Sequence, residues 1–190
     1  MKFFLSLFAI TLFSIATFGQ GTKVAIVFSN QFSADKGGIT KLVNAYNALD
    51  AEFKPAADEI NQLNTRLTTL TNEIRDLQNK LNATPPPPNA KQLQDQITQK
   101  TDEGQNLQLT IKRKQEDAKD RYEKREAAVT GPIIKEISDS LDVYAKAHAI
   151  DILVDGSKLE ALVAFSAAAD ITDAFIKEFN AKTAGLPVKP

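Results

Sequence analysis

The chain has 190 residues with 23 basic and 24 acidic side chains, one histidine and no cysteine, and a formal charge of −1. A balance this neutral, with no basic domain or stripe, argues against nucleic-acid binding. The absence of cysteine excludes both a disulfide framework and a lipid-modified N-terminal cysteine, so the fold must be held by packing.

Met1-Lys2 carries one positive charge, Phe3 to Ile15 is almost continuously apolar, and Thr17-Phe18-Gly19 supplies small residues at the −3 and −1 positions. That order predicts a secretory signal peptide over residues 1–19, cleaved before Gln20. An apolar run of about 16 residues is short for a span of about 20, so the exported chain is expected to have no stable membrane insertion. Thr22 to Phe28 (TKVAIVF) then predicts a β-strand.

From Ile39 the apolar residues fall at alternating spacings of three and four: Ile39, Leu42, Tyr46, Leu49, Phe53, Ala56, Ile60, Leu63, Leu67, Leu70, Ile74, Leu77 and Leu81. Such a stripe keeps one narrow apolar seam on one side of a helix and is the mark of a coiled coil. At 1.5 Å per residue the helix reaches roughly 65 Å. Pro55 lies inside it and predicts a bend that leaves the phase intact. The four prolines of Thr84–Asn89 end the run and form a stiff tip. Asn89 and Gln92 have the spacing of a capping box for a returning helix.

The returning seam reads Leu93, Ile97, Lys100, Gly104, Leu107, Ile111, Lys114 and Ala118. Folding about Pro86-Pro87 sets Ile74 against Lys100, Leu70 against Gly104 and Ile60 against Lys114, so gaps are expected in the zipper. The outgoing helix is thereby expected to offer Ile60, Leu63, Leu67, Leu70, Ile74 and Leu77 to something outside the hairpin. A client or a second copy of the chain would serve equally. Residues 112–126 are densely charged, with both signs interleaved as on a solvated helix face.

Gly131-Pro132 predicts a break in the returning helix and a hinge, after which the apolar pattern resumes at Ile134, Ile137, Leu141 and Tyr144. Ile150–Val154 and Leu159–Phe165 predict two further strands around an Asp155-Gly156-Ser157 turn. Asp170 is placed as the cap of a helix over Ile171–Asn180. The expected fold class is α+β: a long antiparallel helical hairpin (39–130, tip 84–89) on a small β-containing body (20–38 and 131–190). Strands separated by the whole hairpin must meet in space, and a three-stranded sheet leaves edges that need cover. Oligomerisation through the body is therefore expected, with Val24, Ile26, Ile152, Val154, Leu162 and Phe165 as its residues.

Nothing in the chain composes a catalytic centre. His148 is the single histidine, and Asp151 and Asp155 have no nearby nucleophile or further ligand, so they read as strand-end and turn residues. No enzyme activity, metal or cofactor is expected.

The KVAIV strand, the hairpin, the block PIIKEISDSLDVYAKAHAIDILVD and the closing ADITDAFIKEF together resemble the Skp/OmpH family of periplasmic chaperones, over nearly the whole chain after the leader. The resemblance implies an ATP-independent holdase in the periplasm, a homotrimer whose bodies join in a β-barrel-like hub. Its arms would enclose a cavity for unfolded outer-membrane proteins. Family arms are often basic; residues 53–126 here carry 13 basic and 12 acidic side chains, which shifts the expected weight of client binding to apolar contact. The alternative reading is a structural or adaptor coiled-coil protein of the cell envelope.

Overall fold

The computed structural model describes residues 21–161 and 163–184. The expected signal peptide and Leu162 lie outside these residues. In chain order the elements are strand β1 (Val24–Val27), helix α1 (Thr40–Leu81), helix α2 (Ala90–Ala147), strand β2 (Ile152–Asp155) and helix α3 (Thr172–Thr183), with three short 3-10 turns between them.

The two long helices form the hairpin. Pro55 sits within α1 and Pro132 within α2, and neither helix stops there. Each proline deprives the carbonyl four residues earlier of its donor. Those carbonyls belong to Ala51 and Ala128, both exposed, where water can serve instead. The expected break at Gly131-Pro132 is thus absent, and α2 carries the chain from the tip directly into the body. On its far side the buried positions are Ile133, Ile137 and Tyr144, while Ile134 is half-exposed. The inward stripe therefore starts one residue earlier than the spacing from Ile134 suggests. Asn89 occupies the N-cap position of α2 but its side chain makes no capping bond, so the expected capping box does not form.

β1 and β2 pair in parallel, with Val24 beside Ile152 and Val27 beside Asp155. On its other edge β1 meets Asp170 in an isolated parallel bridge, and Ile171 N–H donates to the Ile26 carbonyl at 2.9 Å. β1 is thus the central strand, which is why Ala25, Ile26 and Val27 are all buried rather than alternating. The third strand expected over Leu159–Phe165 is not formed, and its described residues are exposed and unpaired. The sequence LEALVAF is β-prone, but β1 is occupied on both edges, and the outer edge of β2 is left unpaired among the described residues. The body core is built from all segments. Val27, Phe32, Ile39, Leu42 and Ala45 pack with Ile133, Ile137 and Tyr144 of α2 and with Phe175, Ile176 and Phe179 of α3.

Candidate functional site

Five ion pairs join α1 to α2 and fix the hairpin register: Lys41–Glu136, Glu52–Arg125 at 3.0 Å, Glu59–Lys114 at 2.9 Å, Arg66–Glu103 at 2.9 Å and Glu73–Lys100 at 2.5 Å. The residue numbers of each pair add to nearly the same value, as an antiparallel hairpin turning near residue 87 demands. Exposed pairs contribute little stability each, but they disfavour other registers. Hydrogen bonding to Lys100 holds the Glu73 carboxyl below the usual glutamate range despite the opposing effect of desolvation. The bond to Glu103 raises the Arg66 guanidinium in the same way.

These pairs change the picture of the gapped seam. Lys100 and Lys114 occupy the seam positions opposite Ile74 and Ile60, yet each sends its ammonium sideways to the glutamate one residue before its partner. Both lysines are half-buried, so their methylene stems cover part of the gap while the charge stays at the rim. Glu59-Ile60 and Glu73-Ile74 repeat the same dipeptide at the two lysine positions, a signal present in the sequence and passed over there. The third gap closes differently. Leu70 is fully buried (0 % exposed) and Gly104 is buried with it. Leu70 is therefore an inter-helix anchor, with Leu93, Ile97 and Ile111 as the buried residues of α2 along the arm.

Of the other residues expected to face a client, Ile60, Leu63, Leu67, Ile74 and Leu77 are half-buried. One partner helix covers only one flank of each. Nearer the root, Phe53 and Tyr122 meet edge to face with ring centroids 5.2 Å apart, and Arg121 lies over the Phe53 ring. Beside them, Ala56, Ala57 and Ala118 leave an open groove of about 460 Å³ along Ile60. Burial, together with the nearby Asp50 and Glu126 carboxylates, pushes the Tyr122 phenol up.

The body presents the second apolar surface. Val24 and Ile152 are register partners and are 47 % and 48 % exposed, Phe165 is 44 % exposed and Val163 is 95 % exposed. Of the other residues expected there, Ile26 is buried and Val154 half-buried. Phe165 touches Phe28 with centroids 5.7 Å apart, which ties one end of the 159–165 segment to β1. Gly156 is required beside that ring, because a Cβ there would stand 2.6 Å from Phe28.

The candidate chemical residues are all structural. Asp155 accepts from the Ser29 hydroxyl at 2.6 Å, the Ser29 N–H at 3.2 Å and the Ser157 N–H at 3.1 Å. Burial pushes its carboxyl up, but these donors outweigh that and hold it below the usual range. Asp151 accepts from the Lys23 N–H at 2.7 Å. His148 stacks on Tyr144 at 4.0 Å and lies 3.5 Å from Glu178. Asp170 accepts from both the N–H and the hydroxyl of Thr172, at 2.9 and 2.6 Å, but it is not the cap expected of it: the N-cap of α3 is Ile171, which makes no side-chain capping bond. Among the described residues no group of three or more His, Cys, Asp or Glu could hold a metal ion, and no helix is long and apolar enough to cross a membrane.

Fold and surface together define a helical-hairpin protein: one long two-helix arm whose seam is half-open, on a small α/β body with an uncovered apolar surface. The family described as Outer membrane protein (OmpH-like) matches residues 32–179, a stretch that takes in both arm and body. The chain belongs to this family, that of outer-membrane-protein chaperones of the Skp/OmpH kind. No curated protein matches the chain.

Proposed function

We propose that the protein is an ATP-independent holdase of the periplasm, exported by cleavage of residues 1–19, that keeps unfolded outer-membrane proteins soluble between the arms of a homotrimer. The observation that carries the reading is the half-open seam. Ile60, Leu63, Leu67, Ile74 and Leu77 are apolar and in phase over several turns, yet each is only half-covered by α2. Completing their burial would gain a fraction of the ~1.5–3 kcal/mol that a fully buried aliphatic side chain contributes. Each such contact is weak and reversible, and several arms acting on one chain add up through effective concentration.

Assembly through the body supplies those several arms. Val24, Ile152 and Phe165 are the apolar positions that a neighbouring copy would cover, together with the β-prone segment 159–165, whose described residues form no strand within one chain. Val154 flanks this surface, Ile26 supports it from the core, and Leu162 belongs to the same segment. Gly131 and Pro132 lie where α2 passes from arm to body without interruption.

The test is dilution of a urea-unfolded outer-membrane β-barrel into the protein without nucleotide. The holdase reading expects light scattering from aggregates to be suppressed and many different outer-membrane proteins to be retained. Capture of a single stoichiometric partner, with no suppression of aggregation, would favour an envelope adaptor instead.

A further inference from the structure

α3 runs along α2 toward the arm. Glu178 lies 3.5 Å from His148, the C-cap of α2, and one turn later Lys182 borders a hollow of about 390 Å³ with Pro132, Glu136 and Val143. Thr183, the last residue of α3, lines a second hollow with Glu136 and Ser140. The chain therefore leaves α3 beside Glu136, heading for the place where α2 passes from body to arm.

There a groove of about 370 Å³ opens between the two long helices. Its lining is small and apolar: Ala45 and Ala48 of α1, and Ala128, Val129, Pro132 and Ile133 of α2. Ala45 and Ile133 are buried and form the floor, while Ala48, Ala128 and Pro132 are exposed. The groove shares Pro132 and Glu136 with the hollow beside Lys182, so the two are continuous. Lys41–Glu136 and Arg125–Glu52 stand at its margins, so each charged group on the rim already has a partner. Such a trough suits an uncharged apolar strip and gives a charged one nothing to pair with.

The six residues that follow Ala184, Gly-Leu-Pro-Val-Lys-Pro at 185–190, lie outside the described residues. We propose that this segment is the occupant of the groove, a strap laid from α3 across the root of the arm. An extended run of six residues reaches roughly 20 Å. The groove runs along α2 from Glu136 to Arg125, 11 residues or about 16 Å of helix. Leu186 and Lys189 each precede a proline, which disfavours helix and favours extended backbone. Side chains of an extended run alternate, so Leu186 and Val188 share the side toward the trough while Lys189 takes the side toward water. Pro187 and Pro190 bring no backbone N–H into an apolar lining that could not serve one. Seated there, the strap joins α3 to both helices of the arm. Groove and segment belong to one chain, so the inference stands apart from the holdase reading.

The chain has no cysteine of its own, which makes cross-linking a clean test. Val188→Cys is combined with Ala128→Cys on the groove wall, or with Ala127→Cys, exposed on the neighbouring face of the same turn. Both double variants are treated with a short bismaleimide. The groove pair is expected to link within one chain about tenfold faster than the Ala127 pair, and addition of Leu186→Asp is expected to bring the two rates together. Equal rates without Leu186→Asp, the result for a segment merely tethered nearby, would overturn the inference. So would linking between chains, which would give the groove to a second copy. Deleting residues 185–190 leaves every element from β1 to α3 in place. The deletion is expected to speed amide hydrogen exchange about fivefold over residues 42–48 and 126–136, with helix content by circular dichroism and exchange in β1 unchanged. Parental exchange at the root of the arm would overturn the inference as well.

Discussion

Leu70→Ala is the sharpest perturbation of the arm. Leu70 is fully buried, and truncating a buried leucine to alanine costs about 2–5 kcal/mol because the cavity closes only in part. The arm is two helices thick, so no further layer shares the loss. Taking the lower end, about 2 kcal/mol corresponds to roughly 30-fold in a local opening equilibrium. Amide hydrogen exchange should therefore accelerate about 30-fold or more around residues 63–78 and 96–111. Amides of β1 and α3 should be unaffected, since the body core draws on other residues of the long helices. Leu109→Ala, at a half-exposed position, should leave both regions unchanged. Equal acceleration in arm and body would refute the reasoning, because it would make the hairpin one cooperative unit with the body. No acceleration at all would refute Leu70 as an anchor.

Three further outcomes follow from the geometry. Gly104→Ala should stabilise the arm by about 1 kcal/mol through helix propensity, since the added Cβ meets only Leu67 Cδ1, at 4.0 Å; slower exchange in the arm would show it. Ala149 adopts a positive φ of 50° just after α2, where glycine carries no steric penalty. Ala149→Gly should accordingly raise the melting temperature by a few degrees, equivalent to about 1 kcal/mol. The Asp155 carboxyl is held below its unfolded value, so its contribution is complete above about pH 4 and is lost as pH falls through the lower, folded value. Melting temperature against pH should fall in that acid range, and Asp155→Asn should be less stable by about 2 kcal/mol at neutral pH with a shallower acid decline.

Much of this arrangement was legible in the amino-acid pattern. The uninterrupted 3,4 stripe from Ile39 to Leu81 defines α1 nearly to the residue, because a coiled-coil seam is a local property of the chain. The meeting of the chain ends was legible too, since the TKVAIVF and IDILV strands lie on either side of the hairpin, and they pair as β1 and β2. Two errors came from reading local rules where a neighbour decides. Gly131-Pro132 predicts a break, but Ala128 is exposed, so water can serve the carbonyl that loses its donor, and burial of Ile133 and Ile137 holds the helix through. Leu159–Phe165 has strand composition, but β1 has no edge left, and composition alone does not add the segment to the outer edge of β2. The lysines at seam positions read as gaps because spacing records where a side chain starts and not where its charged end goes. Only the coordinates show Lys100 and Lys114 reaching Glu73 and Glu59.

The central claim is that several copies join through their bodies so that their arms can share one unfolded client. The direct measurement is the molar mass of the purified protein by light scattering, alone and after addition of a urea-unfolded outer-membrane β-barrel, repeated with Ile152→Glu. The account predicts a trimer that gains the mass of one client without aggregation, and dissociation by the variant. A monomer, or a trimer that leaves the client to precipitate, would contradict it.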